Sequence, residues 1–101
     1  MYGTISRYRI KAGSESAVLA LSRELVDDPP PGFVASYICR LDAGNGEYMT
    51  AAMWTDRETY KKNSADPRQQ RWFRRVQELV VGEPSWNDGE VIAAAHPATA
   101  G

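Results

Sequence analysis

The sequence has little of the chemistry that metal sites and disulfides require. Among its 101 residues there is one cysteine, Cys39, and one histidine, His96. One cysteine cannot form an internal disulfide or a thiolate metal cluster. A metal site would therefore need a carboxylate cluster, and the residue pattern indicates none, so we predict no bound metal. His96 stands in an alanine-rich segment, where we predict no role for it.

An excess of one charge and a long apolar run are missing as well. Twelve basic and 13 acidic side chains give a formal net charge of −1, which argues against attraction to nucleic acid or to an anionic membrane. No apolar run approaches the ~20 residues of a membrane span. Residues 1–11 lack the layout of a signal peptide, so a cytoplasmic location is expected. The basic residues of segment 57–75 alternate with acidic ones, which favours a solvated helix face.

The chain length allows one hydrophobic core. Its 43% apolar and 25% charged content is ordinary for a soluble globular protein. A chain of this size buries about 60–65% of the surface that it exposes when unfolded, so its core is thin. Pairing with a copy of itself is a common source of further stability. We predict one domain over residues 1–93 and a flexible tail over residues 94–101.

What is present is an alternation of strand-like and helix-like segments. Strands are predicted from β-branched and aromatic content at 2–11, 33–41, 47–54 and 85–94. A helix begins near Ser14 and ends before the prolines at 29–31. Asn45-Gly46 supplies the positive φ angles of a hairpin between the two middle strands. A bulge or turn is expected at Asp88-Gly89 in the last strand.

The second helical region begins directly behind Trp54. Thr55 and Glu58 match the capping box S/T-x-x-E. Asp66-Pro67 then restarts the helix with an acidic N-cap and a proline at the first helical position. An apolar stripe follows at Trp72, Phe73, Val76, Leu79 and Val80.

The resulting order, β-α-β-β-α-β, is that of a ferredoxin-like α+β sandwich with an antiparallel four-stranded sheet. Both helices would cover one face of this sheet. Alternation along the second strand places Phe33, Ala35 and Tyr37 on one face and Val34 and Ile38 on the other, so both faces carry apolar residues. A second copy of the sheet would cover the face without helices, and we predict a homodimer.

Several residues stand at characteristic places along this order of elements. They are Gly13 after the first strand, Pro31-Gly32-Phe33 opening the second, Trp54 closing the third, Tyr60 six residues later, and Gly82 with Pro84 before the last strand. In this order they resemble the antibiotic biosynthesis monooxygenase family of dimeric α/β-barrel proteins. The resemblance covers residues 2–92. The stretch WTDRETYKKNSADPR, residues 54–68, is most similar to the actinorhodin-pathway branch, which oxidises an anthrone to a quinone.

The resemblance implies an oxygenase that uses O2 without metal, flavin or haem and acts on a small aromatic molecule. An acidic phenolic or anthrone-type carbon loses a proton, and the anion passes an electron to O2. The protein then needs to bind a flat ring, donate hydrogen bonds to the anion and exclude water. Trp54 and Tyr60 are the implied catalytic residues. The indole can stack on a ring and donate its N–H, and the phenol can act as donor or proton relay.

Four further residues are candidates for substrate binding: Ser6, Thr50, Tyr37 and Phe73. Thr50 stands where that branch has an asparagine. An arginine of that branch aligns with Arg74 or, with a one-residue deletion, with Phe73. Arg74 lies roughly 155° from the centre of the apolar stripe and is predicted to face solvent. Haem-degrading relatives use a histidine on the second helix, which this chain lacks, and an asparagine where Ser6 stands, so haem degradation is disfavoured.

These residues also have structural interpretations. Trp54 would serve as a core indole that seals the end of a strand, and Tyr60 as an aromatic that packs on the sheet. Ser6 and Thr50 would be small packing residues, and Tyr37 a core side chain like Tyr8 and Tyr48. The same fold supports two other functions. One is a non-catalytic dimer that binds a small aromatic ligand, and the other is a cyclase or isomerase.

Overall fold

The computed structural model describes residues 1–97. Its elements are β1 Tyr2–Arg9, α1 Glu15–Asp27, β2 Phe33–Arg40, β3 Glu47–Trp54, α2 Arg57–Ala65, α3 Pro67–Gln77 and β4 Ser85–Glu90. The strand order in the sheet is β2-β3-β1-β4, and all three of these pairings are antiparallel. The predicted ferredoxin-like α+β fold is thereby confirmed, with the second helical region divided into α2 and α3.

The helices pack on one face of the sheet. The buried cluster contains Ile10 after β1, Val18 of α1, Tyr48 of β3 and Val80 after α3. A hydrogen bond ties α3 to α1, since Trp72 Nε1 donates to the backbone oxygen of Leu21 at 2.9 Å. Among residues 1–97, no helix is both long and apolar enough to cross a bilayer.

α2 is capped by a different residue from the one that the capping box predicted. The N-cap is Asp56, whose carboxylate accepts a hydrogen bond from the backbone N–H of Thr59 at 2.8 Å. Thr55 lies one residue earlier and donates its backbone N–H to Gly32 O at 2.8 Å. The end of β3 is therefore tied to the start of β2 before α2 begins.

α3 begins as predicted. Asp66 is its N-cap and accepts from the backbone N–H of Arg68 at 2.7 Å, and Pro67 occupies the first helical position, where a missing N–H has no consequence. The apolar stripe turns inward, with Phe73 half-buried, while Arg74 is exposed as expected.

β2 contains a bulge that the sequence pattern did not predict. Phe33 pairs with Trp54, and the register then shifts before Ala35, so Val34 is the extra residue. The bulge changes the alternation. Phe33 contacts Trp54 on the helix-covered face, whereas Tyr37 lies on the other face. The prediction that Phe33 and Tyr37 share a face is therefore wrong.

β4 is regular where a bulge or turn was expected. It pairs with β1 from Ser85 to Glu90 without a register shift through Asp88-Gly89. Beyond Glu90, residues 91–97 have no regular secondary structure, and His96 is exposed. The tail predicted over residues 94–101 extends beyond the described residues at 98–101.

Candidate functional site

A cavity of about 480 Å³ lies between the sheet and the helices. This volume is typical of sites for small organic ligands. All seven elements contribute to its wall. The lining residues are Thr4, Ser6, Tyr8, Val18, Ser22, Leu25, Ser36, Ile38, Thr50, Ala52, Trp54, Tyr60, Ser64, Gln69, Gln70, Trp72, Phe73, Val76, Pro84, Trp86 and Asp88.

The register of the strands places small polar side chains on the floor of the cavity. Ser6 of β1 pairs with Thr50 of β3 on one side and with Trp86 of β4 on the other. Two residues earlier in β1, Thr4 pairs with Asp88. Because directly paired residues project to the same face of a sheet, all five side chains point toward the helices.

Trp54 is both a core side chain and part of the cavity wall. It is 5% exposed, and its ring meets those of Phe33 and Tyr60 edge-on, with centroids 5.5 and 5.2 Å apart. Its Nε1 is buried and has no hydrogen-bond partner among residues 1–97. A buried indole N–H usually finds an acceptor, so an unpaired donor at this place is unusual.

Thr4 is a second buried polar group without a partner. It is 6% exposed, and its Oγ1 has no hydrogen-bond partner in the described part of the chain. Leaving such a group unsatisfied costs about 1–3 kcal/mol. Thr4 and Trp54 lie on the paired strands β1 and β3 and line the same cavity. Both residues therefore hold a buried polar atom without a partner among residues 1–97, beside the same cavity.

Tyr60 and Asp88 form a hydrogen-bonded pair at the cavity wall. Tyr60 Oη donates to Asp88 Oδ1 at 2.9 Å. Burial of the phenol, together with the neighbouring Asp88 carboxylate, raises the pKa of Tyr60 to about 12, so the phenol stays protonated at neutral pH. Asp88 is the only charged side chain among the described residues that line the cavity.

Tyr8 and Thr50 are engaged with each other. Tyr8 Oη and Thr50 Oγ1 are hydrogen bonded at 2.5 Å, and the Tyr8 ring stacks on that of Tyr48 with centroids 6.2 Å apart. Burial raises the pKa of Tyr8, although its bond to Thr50 opposes this. The Thr50 hydroxyl therefore has a partner, unlike that of Thr4.

Charged side chains away from the cavity pair with one another. Glu15 accepts hydrogen bonds from Arg40 and Tyr48, and these bonds lower the pKa of Glu15 to about 2. Glu24 accepts two hydrogen bonds from Arg75, each 2.9 Å long. Within residues 1–97, no group of three or more His, Cys, Asp and Glu side chains could hold a metal ion.

The cavity brings together five of the six candidate residues named from the sequence: Ser6, Thr50, Trp54, Tyr60 and Phe73. The Phe73 ring contacts that of Trp86, with centroids 5.5 Å apart. The sixth candidate, Tyr37, is 65% exposed and lies on the opposite face of the sheet, outside the cavity.

Sequence analysis missed Thr4 and Asp88. Asp88-Gly89 resembles a turn, and Thr4 is one of several small polar residues along β1. The available signal was the alternation Trp86-x-Asp88 beside Thr4-x-Ser6. Using it requires the register between β1 and β4, which are separated by about eighty residues and whose pairing no local pattern specifies.

Comparison with protein families gives one match over most of the chain. The sequence model of the family described as antibiotic biosynthesis monooxygenase matches residues 1–75. This span runs from β1 into α3 and includes Trp54 and Tyr60. No curated protein matches the chain significantly.

Solved structures with the same fold include three that align with nearly all of the chain. SnoaB from Streptomyces nogalater, a cofactor-independent oxygenase solved as its N63A mutant, has a TM-score of 0.76 at 15% identity, covering 92% of this chain and 94% of SnoaB. A structure described as an antibiotic biosynthesis monooxygenase has a TM-score of 0.72 at 20% identity, with 92% and 100% covered. Rv0793 from Mycobacterium tuberculosis has a TM-score of 0.73 at 16% identity, with 94% and 98% covered. At these identities the likeness shows a shared fold.

Proposed function

Because the chain belongs to the antibiotic biosynthesis monooxygenase family, we propose that it is a cofactor-independent monooxygenase. Its substrate is a small polycyclic phenol, an anthrone-like compound or a quinol, and its oxidant is O2. The observation that carries the proposal is the cavity, in which the unpartnered donors of Trp54 and Thr4 and the Tyr60–Asp88 pair meet. SnoaB, a cofactor-independent oxygenase, shares the fold.

The walls of the cavity suit a flat ring system. Trp72 and Phe73 of α3 line it from the helix side, and Ile38 and Trp86 line it from the sheet. Aromatic walls bury large apolar area and favour stacked or edge-on contacts with a ring. A largely apolar cavity with a few polar groups is the usual form of a small-molecule site, in which the polar groups fix the orientation of the ligand.

The reaction proceeds through the anion of the substrate. For an anthrone, a CH2 group and O2 are converted to a carbonyl group and water. The substrate loses a proton, the electron pair stays on the ring system, and this anion reduces O2. The N–H of Trp54 and the hydroxyl of Thr4 donate hydrogen bonds to the anionic oxygen. Fixed donors in a cavity that excludes water stabilise such charge more strongly than water does.

Oxygen consumption tests the proposed function. Chelator-treated, metal-free protein is mixed with a panel of anthrones and aromatic quinols, and O2 uptake is followed. We expect saturable uptake, and a fall in kcat/KM of about 10²-fold in Trp54→Phe or Tyr60→Phe, since each removes a donor or relay. Arg74→Ala, on the exposed side of α3, is the control and should keep full activity.

Ligand binding separates the other interpretations. If no panel member supports uptake but the rings still quench tryptophan fluorescence tightly, the monooxygenase proposal is wrong and the chain is a ligand-binding protein or an isomerase. If neither uptake nor quenching occurs, the proposed substrate class is wrong.

We also propose that the functional form is a homodimer, joined through the sheet face that carries no helix. Ile5, Tyr37 and Met49 lie on this face and are 45%, 65% and 36% exposed. Among residues 1–97, no helix packs against it, since the helices line the cavity on the other side. A contiguous apolar surface of this kind usually marks an interface, and a second copy of the sheet has the matching shape.

A further inference from the structure

Asp88 lies beside the cavity on the edge strand of the sheet. The residue is exposed and stands within the regular part of β4, opposite Thr4 of β1. Its side chain reaches the cavity and accepts a hydrogen bond from Tyr60 Oη at 2.9 Å. A neutral acceptor such as asparagine would hold the phenol in the same position, so the charge of Asp88 is not needed to position Tyr60.

We propose that Asp88 is the proton acceptor of this site and takes the proton of a carbon acid or phenol through the hydroxyl of Tyr60. This inference rests on the proposed function, because it assigns the residue that generates the substrate anion. The substrate class that it requires is an aromatic molecule with an acidic C–H or O–H group beside an oxygen that can carry the resulting charge.

The proton moves in two coupled transfers. Since the Tyr60 hydrogen already points to Asp88, the phenol oxygen can accept a hydrogen bond from a ligand in the cavity, in competition with the nearby Thr4 hydroxyl, which lowers the pKa of Tyr60. The C–H or O–H bond of the substrate breaks, and its electron pair remains on the substrate. Its proton joins the Tyr60 oxygen while the original Tyr60 proton passes to Asp88, which becomes a neutral carboxylic acid. No oxidant takes part in this step.

Tyr60 is not itself the base. Burial and the neighbouring Asp88 carboxylate raise the pKa of Tyr60 to about 12, so the phenol is protonated at neutral pH. The carboxylate that accepts its hydrogen bond at 2.9 Å is the acceptor in this proposal, and the phenol transmits the proton.

A carboxylate is a weak base, so the transfer needs a stabilised anion. Trp54 and Thr4 supply the two buried donors that have no partner among residues 1–97. A hydrogen bond from either donor to the anion would stabilise it and so favour the transfer of its proton to Asp88.

Hydrogen exchange without O2 tests this step alone. Anthrone is incubated with the full chain in D2O under anaerobic conditions, and the loss of its CH2 signal is followed by NMR. The wild-type protein should accelerate exchange of the CH2 hydrogens. Asp88→Asn should lower the catalysed rate by at least about 10²-fold, the usual contribution of a general base. Anthrone should bind both proteins with similar affinity, because asparagine keeps an oxygen acceptor for Tyr60.

Glu90→Gln is the matched control. Glu90 is another acidic residue of β4, two positions beyond Asp88, exposed and outside the cavity, so its variant should exchange like the unchanged chain. Exchange at the normal rate in Asp88→Asn would overturn the inference and would indicate that Asp88 only positions Tyr60. Should Asp88→Asn not fold, as judged by circular dichroism, Asp88→Ser replaces it.

Tyr60→Phe tests the relay. It should lose exchange as Asp88→Asn does, and exchange that persists in Tyr60→Phe would overturn transfer through the phenol.

The inference and the proposed function fail separately. Exchange that depends on Asp88 without any O2 uptake would support the inference and contradict the monooxygenase function. O2 uptake that is the same in Asp88→Asn as in the wild-type protein would support the monooxygenase function and contradict the inference. If the wild-type protein does not catalyse hydrogen exchange, the inference is wrong.

Discussion

Two threonines on the floor of the cavity differ in their hydrogen bonding. Thr50 Oγ1 is hydrogen bonded to Tyr8 Oη at 2.5 Å, whereas Thr4 Oγ1, on a side chain that is 6% exposed, has no partner among residues 1–97. Valine has nearly the shape of threonine without the hydroxyl. Removing a paired hydroxyl loses a hydrogen bond, but removing an unpaired one relieves an unfavourable burial.

We therefore expect Thr4→Val and Thr50→Val to change stability in opposite directions. Thr4→Val should raise the free energy of unfolding by about 1 kcal/mol, and Thr50→Val should lower it by about 1 kcal/mol, since it leaves the Tyr8 hydroxyl without its partner. Urea unfolding of the two variants at pH 7 measures both values. Thr4→Val should also bind anthrones more weakly, because it removes one of the two free donors.

A loss of stability in Thr4→Val that matches the loss in Thr50→Val would contradict this account. The Thr4 hydroxyl would then have a partner in solution, such as an ordered water in the cavity. The Thr4 hydroxyl would then not be available to a substrate oxygen, and Trp54 Nε1 would be the remaining buried donor without a partner among residues 1–97.

At the scale of the elements, Gly32 connects β2, β3 and α2. It has φ +79°, accepts the backbone N–H of Thr55 at 2.8 Å, and lies against Thr59 in the first turn of α2. A Cβ on Gly32 would come within 2.7 Å of Thr59 side-chain atoms. Gly13 has the same φ, but a Cβ there would meet nothing within 4 Å.

We expect Gly32→Ala to cost about 3 kcal/mol of unfolding free energy and Gly13→Ala about 1 kcal/mol. Both substitutions place a side chain in a left-handed conformation, and only Gly32→Ala adds an overpacking cost. Thermal unfolding measures both. Because α2 carries Tyr60, Gly32→Ala should also reduce proton exchange. Equal losses of stability in the two variants would show that the contact with Thr59 relaxes freely.

The elements themselves followed from local patterns, but their detailed geometry did not. Asp66-Pro67 specified the start of α3 because an N-cap acid and a proline at the first position act within one turn. The bulge in β2 depends on distant contacts: Phe33 N–H donates to Pro30 O, while the neighbouring Gly32 O is fixed by Thr55. Local alternation therefore gave Tyr37 the wrong face relative to Phe33.

The residues of the candidate site also fall into two groups, those that local patterns indicate and those that only the folded sheet brings together. Trp54, Tyr60 and Phe73 could be found because a strand end, a helix start and a helix stripe place them on one side of the sheet. Asp88 and Thr4 could not, since they meet only when β4 pairs with β1. Local patterns could thus place these three residues beside one cavity, whereas contacts across the sheet required the fold.

At the scale of the whole molecule, the two faces of the sheet differ in what covers them. One lies beneath the helices and forms the floor of the cavity. The other exposes apolar side chains that include Ile5, Tyr37 and Met49. In a domain with a thin core, burial of this second face in a homodimer would contribute to folding, so the thermal midpoint should rise with protein concentration.

Ile5→Asp should separate the dimer, because it places an unpaired charge in the middle of the proposed interface. The expected cost is about 3 kcal/mol, which weakens dimerisation by roughly 100-fold. Sedimentation equilibrium of the variant and the unchanged chain measures this difference. Val26→Asp is the control, since Val26 of α1 is 69% exposed and its variant should remain dimeric. If the wild-type protein is a monomer, or if Ile5→Asp and Val26→Asp associate equally strongly, this face is not the interface.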